Sequence, residues 1–210
     1  MKFSIQRKEL KAISRFAATK DIRFYLMGVC VTQNNRGTVI EATNGHMMGR
    51  LRVDSTPHPE EKRVIIGLSD IEKLKGNKKQ ASEYIVFTVD GLKIEAITPD
   101  ATFVFQATEG VFPNTDRVQP LVYMDSETKP SHFNPEYLMA FMQASEDITG
   151  KKQIPRIIQR GEDSAAIMLP GVDEFIGVLM PVRDNVLGGT LPQWQYMPAV
   201  KTEEAEETPV

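Results

Sequence analysis

The sequence predicts an α+β protein assembled from a repeated unit: a strand, then a helix, then three strands. Three observations predict it. Short runs alternate apolar and polar residues, as strands do, and they flank segments whose apolar residues recur at helical spacing. That order occurs three times along the 210 residues. Turn dipeptides separate the strand runs, among them Asn44-Gly45, where both residues tolerate positive φ, and Asp90-Gly91.

In the first unit Phe3 and Ile5 alternate with polar residues. A helix follows over about 7–18, with Leu10, Ile13, Phe16 and Ala17 on one face. Strands are predicted over 26–33, 38–43 and 46–53, the last two joined by a two-residue Asn44-Gly45 hairpin. The second unit opens at Arg63-Val64-Ile65-Ile66, and Ser69 with Glu72 reads as a capping box for a short helix ending at Gly76. Runs 84–89, 92–97 and 101–106 then read as a meander. The third unit starts near Leu121-Val122-Tyr123. Asn134 is placed to cap a helix with Pro135 at its first position, where the missing N–H costs nothing. Its strands are 154–159, 165–169 and 175–180, and Pro155 makes the first an edge strand or a late starter. Residues 109–120 interrupt the pattern and read as a connection between domains. The expected division is 1–118 with two units, 119–183 with the third, and 184–210 as a flexible acidic tail containing Gly188-Gly189, Pro192 and Pro198.

Composition narrows the class. A hydrophobic fraction of 41% and a charged fraction of 25% are ordinary for a soluble globular chain. No apolar run approaches the roughly 18 residues a membrane span needs, and Met1-Lys2-Phe3-Ser4 starts no signal peptide. The single cysteine, Cys30 within Val29-Cys30-Val31, cannot close an internal disulfide and reads as a buried structural thiol. A cytoplasmic location is the expectation. The net charge of −3 is adverse to DNA, but residues 201–210 hold four Glu against one Lys. The rest of the chain balances 24 basic against 24 acidic residues, so it can still carry a basic face.

Catalysis finds no support. His46, His58 and His132 show no metal-ligand spacing, a lone Cys cannot supply a Cys-rich zinc site, and Lys75-Gly76-Asn77-Lys78 lacks the phosphate-loop pattern. No Gly-x-Ser-x-Gly elbow occurs. Neither an enzyme nor a cofactor is expected.

Three strings carry a resemblance instead: Arg23-Phe24-Tyr25-Leu26-Met27-Gly28, Ala42-Thr43-Asn44-Gly45-His46 and Val178-Leu179-Met180-Pro181-Val182-Arg183, with Phe112-Pro113-Asn114 between them. Together they resemble the bacterial DNA polymerase III beta subunit, the sliding clamp family, over about residues 3–183. The resemblance implies a DNA-clamp fold with sheets outside and helices on an inner face around duplex DNA. It also implies a processivity factor that tethers polymerase and clamp-loader peptides in an apolar groove. Carried over by position, that groove would comprise Leu26, Thr43, Gly45, His46, Met47, Met48, Pro120, Val178, Leu179, Met180, Pro181 and Val182. The family usually has Asp-Gly-His-Arg-Leu where this chain has Asn44-Gly45-His46-Met47-Met48, which makes the groove more apolar.

By order, the resemblance pairs residues 1–118 with the family's middle domain and 121–183 with the second half of its last, so a shortened, divergent relative is the expectation. Three units are an odd number for a ring built of pairs. A tetrameric ring, paired chains and a non-ring adaptor or decoy that binds replication peptides all remain open.

Charge along the helices bears on DNA. Residues 7–20 hold five basic residues against Glu9, and 69–80 hold four Lys against Asp70 and Glu72. The expected DNA-facing residues are Lys8, Lys11, Arg15, Lys73 and Lys75, in sequence-independent, salt-sensitive contact with phosphates. The third helix does not fit, since 134–152 hold three acidic residues against two Lys. Trp194, the only tryptophan, lies in Gln193-Trp194-Gln195-Tyr196-Met197, outside every unit. Two destinations are open to it: the groove of its own or a neighbouring chain, or some other surface.

Overall fold

A computed structural model describes residues 1–119, 131–159 and 163–183. In chain order the elements are β1 (Lys2–Gln6), α1 (Arg7–Ser14), β2 (Gly28–Asn34), β3 (Gly37–Thr43), β4 (Met47–Asp54), β5 (Lys62–Gly67), α2 (Leu68–Leu74), β6 (Tyr84–Asp90), β7 (Lys93–Ile97), β8 (Thr102–Gln106), α3 (Pro135–Thr149), β9 (Arg156–Ile158), β10 (Ala165–Met168) and β11 (Phe175–Leu179). The expected start of the third unit at 121–123, Pro120 and the tail 184–210 lie outside the described residues.

Pairing between the strands departs from the linear pattern. One sheet runs β1-β6-β7-β8 and the other β5-β2-β3-β4-β11-β10-β9. The leading strand of each of the first two units therefore joins the other unit's sheet. Neither unit can close its own sheet, so the first 106 residues are interlocked. All pairs are antiparallel.

One core joins the apolar stripes of the helices to one face of both sheets. Leu10 and Ile13 of α1, Ile71 and Leu74 of α2, Ile5, Val31, Ile85 and Phe87 are all buried there. Arg7 fixes α1 to the second unit from inside: Nη1 donates to the Leu74 carbonyl at 2.7 Å, and Nε pairs with Glu83 at 3.1 Å. A guanidinium this buried persists because its N–H groups find acceptors.

Three local expectations are corrected. α1 stops at Ser14 rather than near 18, because Arg15, Phe16 and Ala17 donate to residues three back, tightening the last turn. α2 starts at Leu68 with Gly67 at its cap position and no side-chain cap, so Ser69 and Glu72 lie inside the helix. The hairpin at Asn44-Gly45 is shifted by one residue. Asn44 N–H donates to the Met47 carbonyl at 3.3 Å, which makes Gly45 and His46 the central pair. Only Gly45 takes a positive φ, 91°; Asn44 instead accepts from the N–H groups of His46 (2.9 Å) and Met47 (3.0 Å) through its side chain. Two further local expectations hold: Asn134 Oδ1 accepts from Glu136 N–H at 2.9 Å beneath Pro135, and β9 is an edge strand that starts after Pro155.

The junction between the first and third units positions everything that follows. β4 and β11 pair from Leu51↔Phe175 to Met47↔Leu179, making the larger sheet continuous across them. On the helix side α1 meets α3. Phe16 lies 4.8 Å from Phe141 and 5.9 Å from Phe175, centroid to centroid. Gly49 and Gly177, cross-strand partners, sit beneath these rings. A Cβ on Gly49 would fall inside the Phe16 ring contact, and one on Gly177 inside that of Phe141. Lys11 and Arg15 reach across to Asp147 of α3 at 2.8 and 2.5 Å.

Gly49→Ala is expected to destabilise the chain by about 1–3 kcal/mol through overpacking. Adding Phe16→Leu should return part of that loss, so a double-mutant cycle in urea will give a non-zero coupling. Additive effects would mean that ring and glycine do not share this space.

Candidate peptide-binding groove

On the face of the larger sheet away from the helices, cross-strand partners form a row, Thr43–Met48–Val178. The row follows from the two-residue period: Phe175, Gly177 and Leu179 point to the helices, whereas Ile176, Val178 and the following Met180 point the other way. The 3₁₀ turn Phe24–Leu26 packs beside the row and buries Leu26 with Cys30, Ile65 and Phe112. The connector passes over the same face and supplies Pro113, Asn114, Thr115 and Val118. Between these walls lies a groove of about 190 Å³.

Polar contacts hold the connector in place. Glu41 and Arg50 are cross-strand partners next to the row, joined at 2.9 Å and both largely buried. Thr115 Oγ1 donates to Glu41 at 2.5 Å, and Arg50 also contacts Thr115. Arg50 Nη1 pairs with Asp116 at 2.6 Å, and Arg36 reaches the same carboxylate at 3.3 Å. Hydrogen bonds from Arg50 and then Arg36 hold the Asp116 carboxyl below its usual range. On the opposite rim, hydrogen bonds from Arg23 hold Asp21 at about 2. Burial, followed by the Glu41 charge, pushes the Cys30 thiol up to about 12, so it is an inert core group.

Backbone bonds close the end of the groove. Met180 N–H donates to the His46 carbonyl at 2.9 Å, and Val182 N–H to that of His132 at 2.7 Å. The His46 ring is exposed and stacks on Tyr137 of α3, with centroids 5.9 Å apart and planes 13° from parallel. Thr43 Oγ1 donates to the Met47 carbonyl at 2.8 Å and accepts from Gly45 N–H at 3.1 Å, fixing the hairpin at the mouth.

Of the residues expected at the groove, Leu26, Thr43, Gly45, His46, Met47, Met48, Val178 and Met180 line it. Leu179 does not: strand alternation turns it into the helix-side core, where it is fully buried. Pro181 and Val182 lie half-buried beyond the lining, and Pro120 is outside the described residues. Arg23, Pro113, Asn114, Thr115 and Val118 line it without having been expected. The first three stand inside the quoted strings, which was the available signal. Thr115 and Val118 had none beyond membership of the connector.

The five cations expected to face DNA are placed as follows. Lys11 and Arg15 are held by Asp147, Lys73 by Asp70 at 2.7 Å and Lys75 by Glu72. Among the described residues no ion pair engages Lys8. No group of three or more His, Cys, Asp or Glu able to hold a metal occurs among the described residues, nor a helix long and apolar enough to cross a membrane.

No protein-family profile matches the chain. The curated beta sliding clamp of Pseudomonas aeruginosa is 27% identical over 125 residues, 57% of this chain and 34% of that protein. The solved DNA polymerase III subunit beta from Pseudomonas aeruginosa superposes with a TM-score of 0.65 at 20% identity, covering 87% of this chain and 66% of that one. The Thermotoga maritima beta subunit gives 0.66 at 13% identity, covering 87% and 65%. The Borrelia burgdorferi subunit, solved with a natural product, gives 0.67 at 13%, covering 90% and 63%. The fold is that of the sliding clamp. The chain resembles this family in sequence while matching about a third of the curated relative's length.

The depressed Asp116 carboxyl gives a pH signature. Its contribution is present above its unfolded value near 3.9 and is lost as pH falls through the lower folded value. The melting temperature of the unaltered chain should exceed that of Asp116→Asn by a constant margin above about pH 5, and the margin should vanish on further acidification. A margin that persists at pH 2 would show that Asp116 acts otherwise.

Proposed function

We propose that this chain is a sliding clamp-like processivity factor. Copies of it encircle duplex DNA without sequence preference, and the groove tethers a DNA polymerase or clamp-loader subunit through a short apolar peptide. The observation supporting this reading is the convergence of Leu26, the Thr43–Met48–Val178 row, Met180 and the connector on one apolar concavity. No reaction is involved; the function lies in shape, charge and that groove.

The groove suits peptides. Met47, Met48 and Met180 are flexible, polarizable side chains that repack around different ligands. Gly45 leaves the hairpin backbone open to close approach. Burying one Leu and one Phe from a partner contributes about 1.5–3 kcal/mol each, together about 3–6 kcal/mol, which corresponds to affinities from millimolar to tens of micromolar. That strength permits exchange between partners.

A second reading, a non-ring adaptor that binds replication peptides without encircling DNA, is favoured by one observation. Two of the expected DNA-facing cations, Lys11 and Arg15, are taken up by Asp147. The two readings separate on DNA topology. A ring is retained on nicked circles and lost when they are linearised; an adaptor shows no difference. Native mass measurement on the same sample gives the copy number.

The groove is tested independently. Against an array of short peptides from a replicative polymerase and clamp loader, Met180→Glu should weaken capture by tenfold or more while leaving thermal unfolding nearly unchanged, since Met180 is only half-buried. Equal capture by both proteins would move the peptide site elsewhere.

A further inference from the structure

The chain leaves the groove by way of its own wall. Met180 lines the concavity, and the described residues end three positions later at Arg183. The remaining segment, 184–210, holds one apolar island: Leu191, Trp194, Tyr196 and Met197, with Gly188-Gly189 before it and Glu203, Glu204, Glu206 and Glu207 after it. An island carrying the only tryptophan is chemically matched to the apolar groove on this face of the sheet. At the rim, Arg23 is paired with Asp21 and flanked by exposed Ile22 and Phe24, which extend the apolar surface.

We propose that residues 191–197 occupy the groove of their own chain, as a tethered competitor for any peptide partner. The geometry allows it. Ten residue-to-residue steps lead from Arg183 to Gln193. At most about 3.3–3.6 Å each, they span some 35 Å, ample to fold back to a groove whose wall is three residues upstream. A tether of this length gives millimolar effective concentration, so even a segment with an intrinsic Kd of tens of micromolar would hold the site most of the time. Partners would then bind about 10- to 100-fold more weakly than the open groove allows. The consequence is selectivity, because only partners presented in several copies or at high local concentration would displace the segment. This inference rests on the groove being a peptide site.

The experiment uses a fluorescein-labelled peptide of residues 191–199 and the polymerase and clamp-loader peptides above. Binding is read by anisotropy against the full chain and a chain ending at Leu187. Emission of Trp194 in the full chain is compared with that of Met180→Glu. Expected are at least tenfold tighter binding of every probe to the shortened chain, and a blue-shifted Trp194 that moves to the red in Met180→Glu at constant molecular mass. Equal affinities, an unmoved Trp194, or a shortened chain that binds the polymerase peptides but not the 191–199 probe would each overturn self-occupancy while leaving the groove a peptide site. Occlusion that grows with protein concentration and a rising mass would place the segment in a neighbour's groove and overturn the proposal as stated. Failure of every probe on both chains would overturn the groove reading, and the inference with it.

Discussion

The pairing of β4 with β11, roofed by Phe16, Phe141 and Phe175, is the constraint on which the rest depends. A sheet continuing from one unit into another must keep both faces in register, because a one-residue slip exchanges every side chain between them. Here the register is held by space as well as by hydrogen bonds. Gly49 and Gly177 are the partners over which two aromatic rings descend, and larger residues do not fit. With those glycines on the helix side, Met48 and Val178 must lie on the other, beside Thr43. The groove is therefore a consequence of core packing one residue away.

The same junction redistributes charge. Asp147 of α3 receives Lys11 and Arg15, so the helix with the larger basic excess lends part of that charge to holding the third unit. Pairs of this kind, partly desolvated by packing, fix geometry more than they add stability. In the proposed DNA contact, α1 would meet phosphates first through Lys8, and the exposed Lys20 lies in the bend beyond the helix.

Much of this was legible in the sequence, for identifiable reasons. Element types followed from periodicity: β6, β7 and β8 lie within two residues of their expected positions. Asn134-Pro135 announced α3 because both residues act locally. The exchange of leading strands between the first two units was not legible, since alternation says that a residue is in a strand but not which strand it meets. Leu179 was assigned to the groove with its neighbours because a contiguous string does not show alternation of faces. The capping box at Ser69 failed because the chain enters α2 directly from β5 at Gly67, leaving no room for a separate cap. Thr115 entered the groove wall through Glu41, a carboxylate 74 positions away that no local pattern connects to it.

The central claim is that stretches far apart in the chain form one peptide receptor. Hydrogen exchange with and without a bound polymerase or clamp-loader peptide tests it most directly. The account predicts slowed exchange in three separated stretches together, 24–27, 43–48 and 176–182, with the outer strand β8 unchanged. Protection confined to one stretch, or centred on β8 or α2, would contradict it.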